Sequence, residues 1–333
     1  MNYIGSKYTL LPFLSQTIKE VVGEDLSNIH FCDLFAGTGI VGRYFKPIVK
    51  KVIANDIEYY SYVLNRNYIG NHKEIEGKES YIETLNSIPK TEKGFIFNNY
   101  CQGSGSGRQY FSDENGIIID TVRSQIKDWH NAKEISDDLY YFLLCSLLES
   151  ADKLANTTSV YGAFLKHLKK TAQKSLQIEP ANYVINSNEH EVFCEDANAL
   201  IKKISGDVLY LDPPYNSRQY GANYHLLNTI AEYEPFIPKG KTGLREYTRS
   251  LFCGKNTVRE AFESLIKEAN FKYIFLSYNN EGLMSVSDIK KIMSKYGCYD
   301  VICKEYSRFR ADKENNRTHK ANKTIEYLHI LCK

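Results

Sequence analysis

An aspartate, two prolines and a tyrosine stand in a row at Asp212-Pro213-Pro214-Tyr215. They follow the apolar run Val208-Leu209-Tyr210-Leu211, which reads as a buried strand. Proline fixes φ and has no N–H, and a residue that precedes proline is held extended. The tetrapeptide is therefore a stiff cluster of carbonyl and carboxylate acceptors beside a flat ring. Such a cluster suits a planar substrate bearing an exocyclic amino group. It sits where a strand of an α/β sheet ends, and ligand chemistry in open α/β sheets happens there. A Pro-Pro turn with no chemical role would use the same residues, so the motif needs a second signal.

Ile29-His30-Phe31-Cys32-Asp33-Leu34-Phe35-Ala36-Gly37-Thr38-Gly39 supplies it: a strand running into a Gly-X-Gly turn, with a helix starting at Ile40-Val41-Gly42. Glycines let a backbone turn tightly and approach a ligand closely. The loop lacks the G-x-G-x-x-G spacing of nicotinamide and flavin enzymes, which argues against an oxidoreductase. A second strand, Lys51-Val52-Ile53-Ala54-Asn55, ends at Asp56. An acid at that point of such a unit typically binds ribose hydroxyls.

With these segments in this order, the chain resembles the D12 class of N6-adenine DNA methyltransferases, which use S-adenosylmethionine and group with Dam-like enzymes in the α arrangement of motifs. Asn2-Tyr3-Ile4-Gly5-Ser6-Lys7 looks like the family's N-terminal motif, with Tyr3 and Lys7 on the cofactor side. Asp33, Phe35, Ala36, Gly37, Thr38 and Gly39 look like its glycine loop, Asp56 and Ile57 like its ribose-binding pair. Glu195-Asp196-Ala197 looks like the motif that holds the cofactor's adenine ring, through Asp196 and Ala197. Asp212 to Tyr215 matches the catalytic motif, with Asp212 also facing the cofactor. Phe275 to Asn280 and Ile325 to Ile330 look like later family strands. Gly107-Arg108-Gln109-Tyr110-Phe111 and Tyr161-Gly162-Ala163-Phe164-Leu165 resemble restriction-modification members. The Dam pattern has Lys where this chain has Asn2, so Dam's sequence specificity is not carried over.

The resemblance implies a Rossmann-like, S-adenosylmethionine-dependent methyltransferase fold of the α/β class. It carries a mixed seven-stranded sheet and an inserted helical target-recognition module. The implied activity is site-specific methylation of adenine N6 in double-stranded DNA at a short palindrome, with CATG as the candidate sequence. The enzyme is then either the modification partner of a type II restriction system or a solitary methylase. A cognate endonuclease would be a separate protein with no stable complex, and the chain a monomer or weak dimer. The rival readings are an RNA or protein N-methyltransferase, or a DNA-binding relative that has lost catalysis.

The chemistry can be stated at the residues. The adenine N6 lone pair is delocalised into the ring, and attack on a sulfonium methyl needs it localised and aimed. The Asp212 carboxylate and the Pro213 carbonyl would accept the two amino hydrogens, Pro214 would stiffen the turn, and Tyr215 would stack on the ring. The reacting edge is paired inside the duplex, so the base must flip out. Arg108, Arg218, Gln219, Tyr220, Arg308 and Arg310 are the candidate DNA contacts. Lys7 is expected at the cofactor's carboxylate end or in the active-site wall. A sulfonium needs no metal to be activated, and none is expected.

Composition sets wider bounds. The 333 residues, 43% of them hydrophobic, suffice for one large domain and a smaller one. No apolar run reaches membrane-spanning length and no signal peptide pattern is present, so a cytoplasmic location is expected. The eight cysteines show no metal-like spacing; buried free thiols are expected, Cys298 and Cys303 among them. A net charge of +2 does not announce nucleic acid. Its distribution does so better: basic clusters at Lys239–Arg259 and Lys304–Lys323 could neutralise phosphates. Some of the 26 tyrosines could stack on bases.

Sheet patterning covers residues 29–70, stops for over a hundred residues and resumes near Tyr183 or Val192. The parse is a catalytic domain of residues 1–70 and 183–333 with a helical recognition insert at 71–182. Helices are expected at Ile117–His130, Asp137–Leu154 and Val160–Lys170. Gly103-Ser104-Gly105-Ser106-Gly107 lacks a following P-loop lysine and reads as a flexible loop.

Overall fold

The computed structural model describes residues 5–307 and 323–333. They contain the strands β1 (His30–Asp33), β2 (Lys51–Asn55), β3 (Glu191–Phe193), β4 (Ser205–Leu211), β5 (Asn270–Asn279), β6 (Cys298–Ser307) and β7 (Lys323–Cys332). One sheet takes them in the order β3-β2-β1-β4-β5-β7-β6. Strands β1 to β5 pair in parallel, and β7 runs antiparallel to both β5 and β6. This is the mixed seven-stranded sheet that the resemblance implies. The chain winds outward from β1 through β2 to β3, and in the other direction from β4 to β5. The switch point therefore lies between the carboxyl ends of β1 and β4, where α/β sheets bind ligands.

Side chains alternate across this sheet with the period of a strand. Phe31 and Tyr210 face one side, where Phe31 stacks on Phe45 at 4.4 Å between ring centroids. Cys32, Leu209, Leu211, Ile274 and Leu276 face the other, packed with Phe262, Leu265 and Ile266 of the helix Val258–Glu268. Both faces are covered, which is why the central strands read as continuous apolar runs.

The described residues divide into two compact units. The sheet unit comprises Gly5–Ile57, Asn188–Gln219 and Thr248–Lys333; the helical unit comprises Glu58–Ser187 and Tyr220–Tyr247. These bounds differ from the parse of 1–70 and 183–333 with an insert at 71–182. The helical unit begins directly after the β2 loop, and it takes in Tyr220–Tyr247, which the sequence parse assigned to the catalytic domain. Long-range pairing decides this: Tyr60 N–H donates to Asn228 Oδ1 at 2.8 Å, and Arg123 donates to Ile230 O at 3.0 Å and Ala231 O at 2.9 Å. Those arginine bonds satisfy the last carbonyls of the helix His225–Glu232.

The two long helices of this unit are Asp113–Asn131 and Asp137–Leu154. Ser112 and Ser136 cap them, each side-chain oxygen accepting a first-turn N–H. No helix forms over Val160–Lys170, contrary to expectation. Buried Asn156 takes over that backbone instead: its Nδ2 donates to Leu165 O at 3.1 Å and its Oδ1 accepts Lys169 N–H at 3.0 Å. The Gly103–Gly107 loop is closed rather than loose. Ser106 Oγ donates to Asn99 O at 3.0 Å, and Gly103 N–H reaches Asp113 Oδ1 at 2.6 Å. None of the eight cysteines forms a disulfide; Cys194, Cys298 and Cys303 are exposed, so the expectation of uniformly buried thiols fails on these edge positions. No described helix is long and apolar enough to cross a membrane.

Candidate active site

Asp212 ends β4 at the switch point, and its carboxylate belongs to a cluster of charges. Lys7 Nζ lies 2.9 Å from Asp212 Oδ1 and 3.1 Å from Glu326 Oε1. The Lys7 and Glu326 side chains are only 5% and 1% exposed, so little water screens them. Neither Glu326 oxygen receives a well-aligned hydrogen bond among the described residues, which leaves the Lys7 ion pair to compensate its charge. The Lys7 ammonium is 5.9 Å from the centroid of the Tyr215 ring. That ring stands edge-on to Tyr278 at 6.5 Å, and Tyr215 O accepts Leu283 N–H at 3.0 Å. The motif is thus gripped from several sides, as the two prolines suggest.

Burial pushes the Asp212 carboxyl up to about 6; Lys7 pulls it down and Glu326 adds to the rise. Burial works against a charged Lys7, yet Asp212 and then Glu326 hold its pKa well above the usual amine range. Lys7 is therefore a permanent cation between two carboxylates. Its ion pairs join it to the catalytic motif through Asp212 and to β7 through Glu326.

Across the switch point, β1 ends at Asp33, whose Oδ2 accepts Gly42 N–H at 3.1 Å. Burial pushes Asp33 up to about 8, and the neighbouring Asp212 and Asp56 carboxylates add to it. Gly37 and Gly39 have φ of 52° and 74°, a region that side chains strain. Gly37 N–H donates to Asp56 Oδ2 at 2.8 Å, which draws the acid after β2 to the glycine turn. Phe35 packs edge-on to Phe252 at 5.0 Å. Asp196 caps the helix Ala197–Leu200 through Ala199 N–H at 3.1 Å. Asp33 lies close enough to Asp56 and Asp212 to feel both charges, while Lys7 pairs with Asp212 and Glu326. A cation brought beside Asp33 and Asp56 favours their ionised forms, so the residues present suit the sulfonium and ammonium groups of S-adenosylmethionine.

Two residues that sequence reasoning missed complete the site. Glu326 lies on β7, and its signal was an acid inside an apolar strand. Asn55 ends β2 and joins three strand ends: its Nδ2 donates to Leu34 O at 3.2 Å and Glu195 O at 3.1 Å, and its Oδ1 accepts Glu195 N–H at 3.0 Å.

The described candidates for DNA contact are each held by their own neighbours. Arg108 is half-buried and donates to Asn99 O at 3.2 Å and Gly240 O at 3.0 Å, so its guanidinium braces two loops of the helical unit. Gln219 Oε1 accepts Ser250 N–H at 2.9 Å, and the Arg218 side chain is exposed. Tyr220 stacks on Tyr224 at 6.1 Å. Pro213 is buried and Ile57 partly so, with Ile57 O accepting from Cys194 Sγ at 3.8 Å. Tyr3, Arg308 and Arg310 lie outside the described residues.

Residues 3–292 match the family D12 class N6 adenine-specific DNA methyltransferase. Over all of its length the chain is 63% identical to type II methyltransferase M.NlaIII of Neisseria lactamica, covering 99% of that protein. It is 37% identical to type II methyltransferase M.CviAII of Paramecium bursaria Chlorella virus 1, with 93% of each chain aligned. It is also 37% identical to type II methyltransferase M.FokI of Planomicrobium okeanokoites, of which it spans 53%.

Proposed function

The chain belongs to the D12 class of N6 adenine-specific DNA methyltransferases and uses S-adenosylmethionine, and we propose that Asp212, Pro213 and Tyr215 orient a flipped adenine for direct methylation. One observation carries this reading. The acceptor cluster stands desolvated at the carboxyl end of β4, beside the glycine turn that follows β1.

When bound, S-adenosylmethionine supplies a methyl group that an amine can attack directly. Asp33, Phe35 to Gly39, Asp56, Ile57, Asp196 and Ala197 are the residues that would hold it. The Asp212 carboxylate and the Pro213 carbonyl accept the two N6 hydrogens and turn the nitrogen lone pair out of the ring plane. In a water-poor site such preorganised acceptors act at close to full strength. Tyr215 stacks on the base and fixes its plane. Once N6 is methylated its proton becomes acidic, and Asp212 takes it or passes it to water. Asp212 works as the carboxylate, so activity falls as pH drops through about 6, the value to which burial raises it.

The finer reading follows from the same premise. Target recognition belongs to the helical unit, the target is a short palindrome with CATG as the candidate, and the protein acts as a monomer or weak dimer in the cytoplasm. The type II names of its relatives favour a modification enzyme protecting DNA from a separate endonuclease. Labelled methyl transfer to unmethylated genomic DNA, followed by sequencing that reads modified bases, tests all of this. N6-methyladenine at one short motif is expected. Transfer to RNA or protein alone would overturn the substrate assignment.

A further inference from the structure

We propose that Glu326 is a positioning residue for methyl transfer: it shares the Lys7 ammonium and so keeps the Asp212 carboxylate available to the adenine amino group. The inference rests on the role given to Asp212 above.

The geometry is that of one buried cation between two acids, Glu326 buried and Asp212 partly so. Lys7 Nζ is nearly equidistant from Asp212 Oδ1 at 2.9 Å and Glu326 Oε1 at 3.1 Å. An ammonium paired with Asp212 alone would spend its whole charge on the acceptor that the substrate needs. Shared with Glu326, it holds Asp212 in place and leaves the cluster net negative. Burying a carboxylate without aligned hydrogen bonds is costly. The apolar neighbours of Glu326 on β7 do not require that cost, whereas a charge-sharing role does. Glu326 reaches the cluster through strand register, opposite Asn279 on β5 and Lys304 on β6. Lys304 does not compete for it: its ammonium sits over the Phe13 ring at 5.4 Å.

The groups that set the charge of Asp212 come from every neighbouring element. Lys7 from the N-terminal turn and Glu326 from β7 act on Asp212, and Asp212 in turn acts on Tyr210 of β4, Tyr215 of the loop after it and Asp33 of β1. Asp56 acts on Asp33, and Glu281 acts on Tyr215. Glu326 is the residue of this set whose removal takes away a like charge without touching the motif or the glycine loop.

Glu326→Gln keeps the shape and removes the charge. With purified full-length enzyme, kcat should fall by about tenfold at pH 8. The dissociation constant for S-adenosylmethionine and the KM for DNA should stay within about twofold. The acid limb of the kcat profile should move to lower pH, because a like charge has left the side of Asp212. In a Lys7→Met background the same change should lower kcat no further, since the shared cation is gone, while the acid limb still moves to lower pH. A wild-type kcat and acid limb in Glu326→Gln would overturn the proposal, as would equal losses in both backgrounds. If Glu326→Gln does not fold, Glu326→Asp carries the test: the charge stays but the arm shortens, so kcat should drop with no downward shift of the limb. Wild-type kcat there would overturn it. Asp212→Asn is measured alongside. Retained activity in Asp212→Asn would sink the role of Asp212 itself; an inactive Asp212→Asn with an unmoved Glu326→Gln would sink this inference alone.

Discussion

Each unit buries an aspartate that burial pushes up to about 6, yet the two are answered differently. In the helical unit, Asp120 accepts Ile96 N–H at 2.9 Å, Phe97 N–H at 2.8 Å and Tyr233 OH at 2.7 Å. Neutral donors from its own unit saturate it. Arg123 is likewise satisfied by the carbonyls of a helix end. In the sheet unit, Asp212 meets a lysine shared with a second acid, and Asp33 faces two more carboxylates. Internal hydrogen bonds settle the first site; the second retains charge that a bound cation and an amino group would settle. Perturbed pKa values alone would flag both, so the partners have to be read to tell scaffold from site.

The largest expected effect breaks the comparison at its centre. Asp212→Ala should lower kcat by about 10³-fold while sparing cofactor binding. Calorimetric titration and a labelled-methyl assay read the two separately, and retained turnover would remove Asp212 from the mechanism. Next, Tyr215→Ala should cost about 10²-fold in transfer, and Tyr215→Phe only a few-fold, because stacking rather than the hydroxyl is at work. Equal losses would point to the hydroxyl. Asp120→Asn supplies the contrast. Its amide would turn a donor toward the donors that Asp120 accepts and should cost about 2 kcal/mol of stability, read by denaturant melting, with kcat of the folded enzyme unchanged. A catalytic defect at constant stability would erase the distinction between the units. The smallest effect concerns pH. Burial raises Asp33 to about 8, and a cationic ligand favours its ionised form. Affinity for S-adenosylmethionine should therefore weaken as pH falls below that value, by up to about tenfold per unit. A flat profile between pH 6.5 and 8.5 would separate Asp33 from the ligand.

Much of the sheet unit was legible in the chain because its signals are local. Asp212 and its prolines, the glycine turn and Asp56 each follow a strand at a short distance, and the topology brings them to one edge. Lys51–Asn55 and Asp137–Leu154 form as the periodicity predicts. What stayed hidden depends on partners far away in sequence. Glu326 acquires meaning only beside Lys7, and Tyr220–Tyr247 joins the helical unit through Asn228 and Arg123. Val160–Lys170 has helical spacing, but one asparagine side chain outcompetes the helix for its backbone groups. The charge of Arg108 is visible in the sequence, whereas the carbonyls of Asn99 and Gly240 that it meets are not.

The reach from Lys7 to Glu326 joins nearly the first described residue to almost the last. A ribosome makes one of these partners early and the other only after the whole sheet and the helical unit have been synthesised. Until β7 slides in between β5 and β6, Lys7 and Asp212 have no third member. Pairing of such distant segments is a late event in folding. The charge cluster thus depends on the order of assembly as well as on geometry: a nascent chain can own every residue of Asp212 to Tyr215 and still lack the Lys7–Glu326 ion pair.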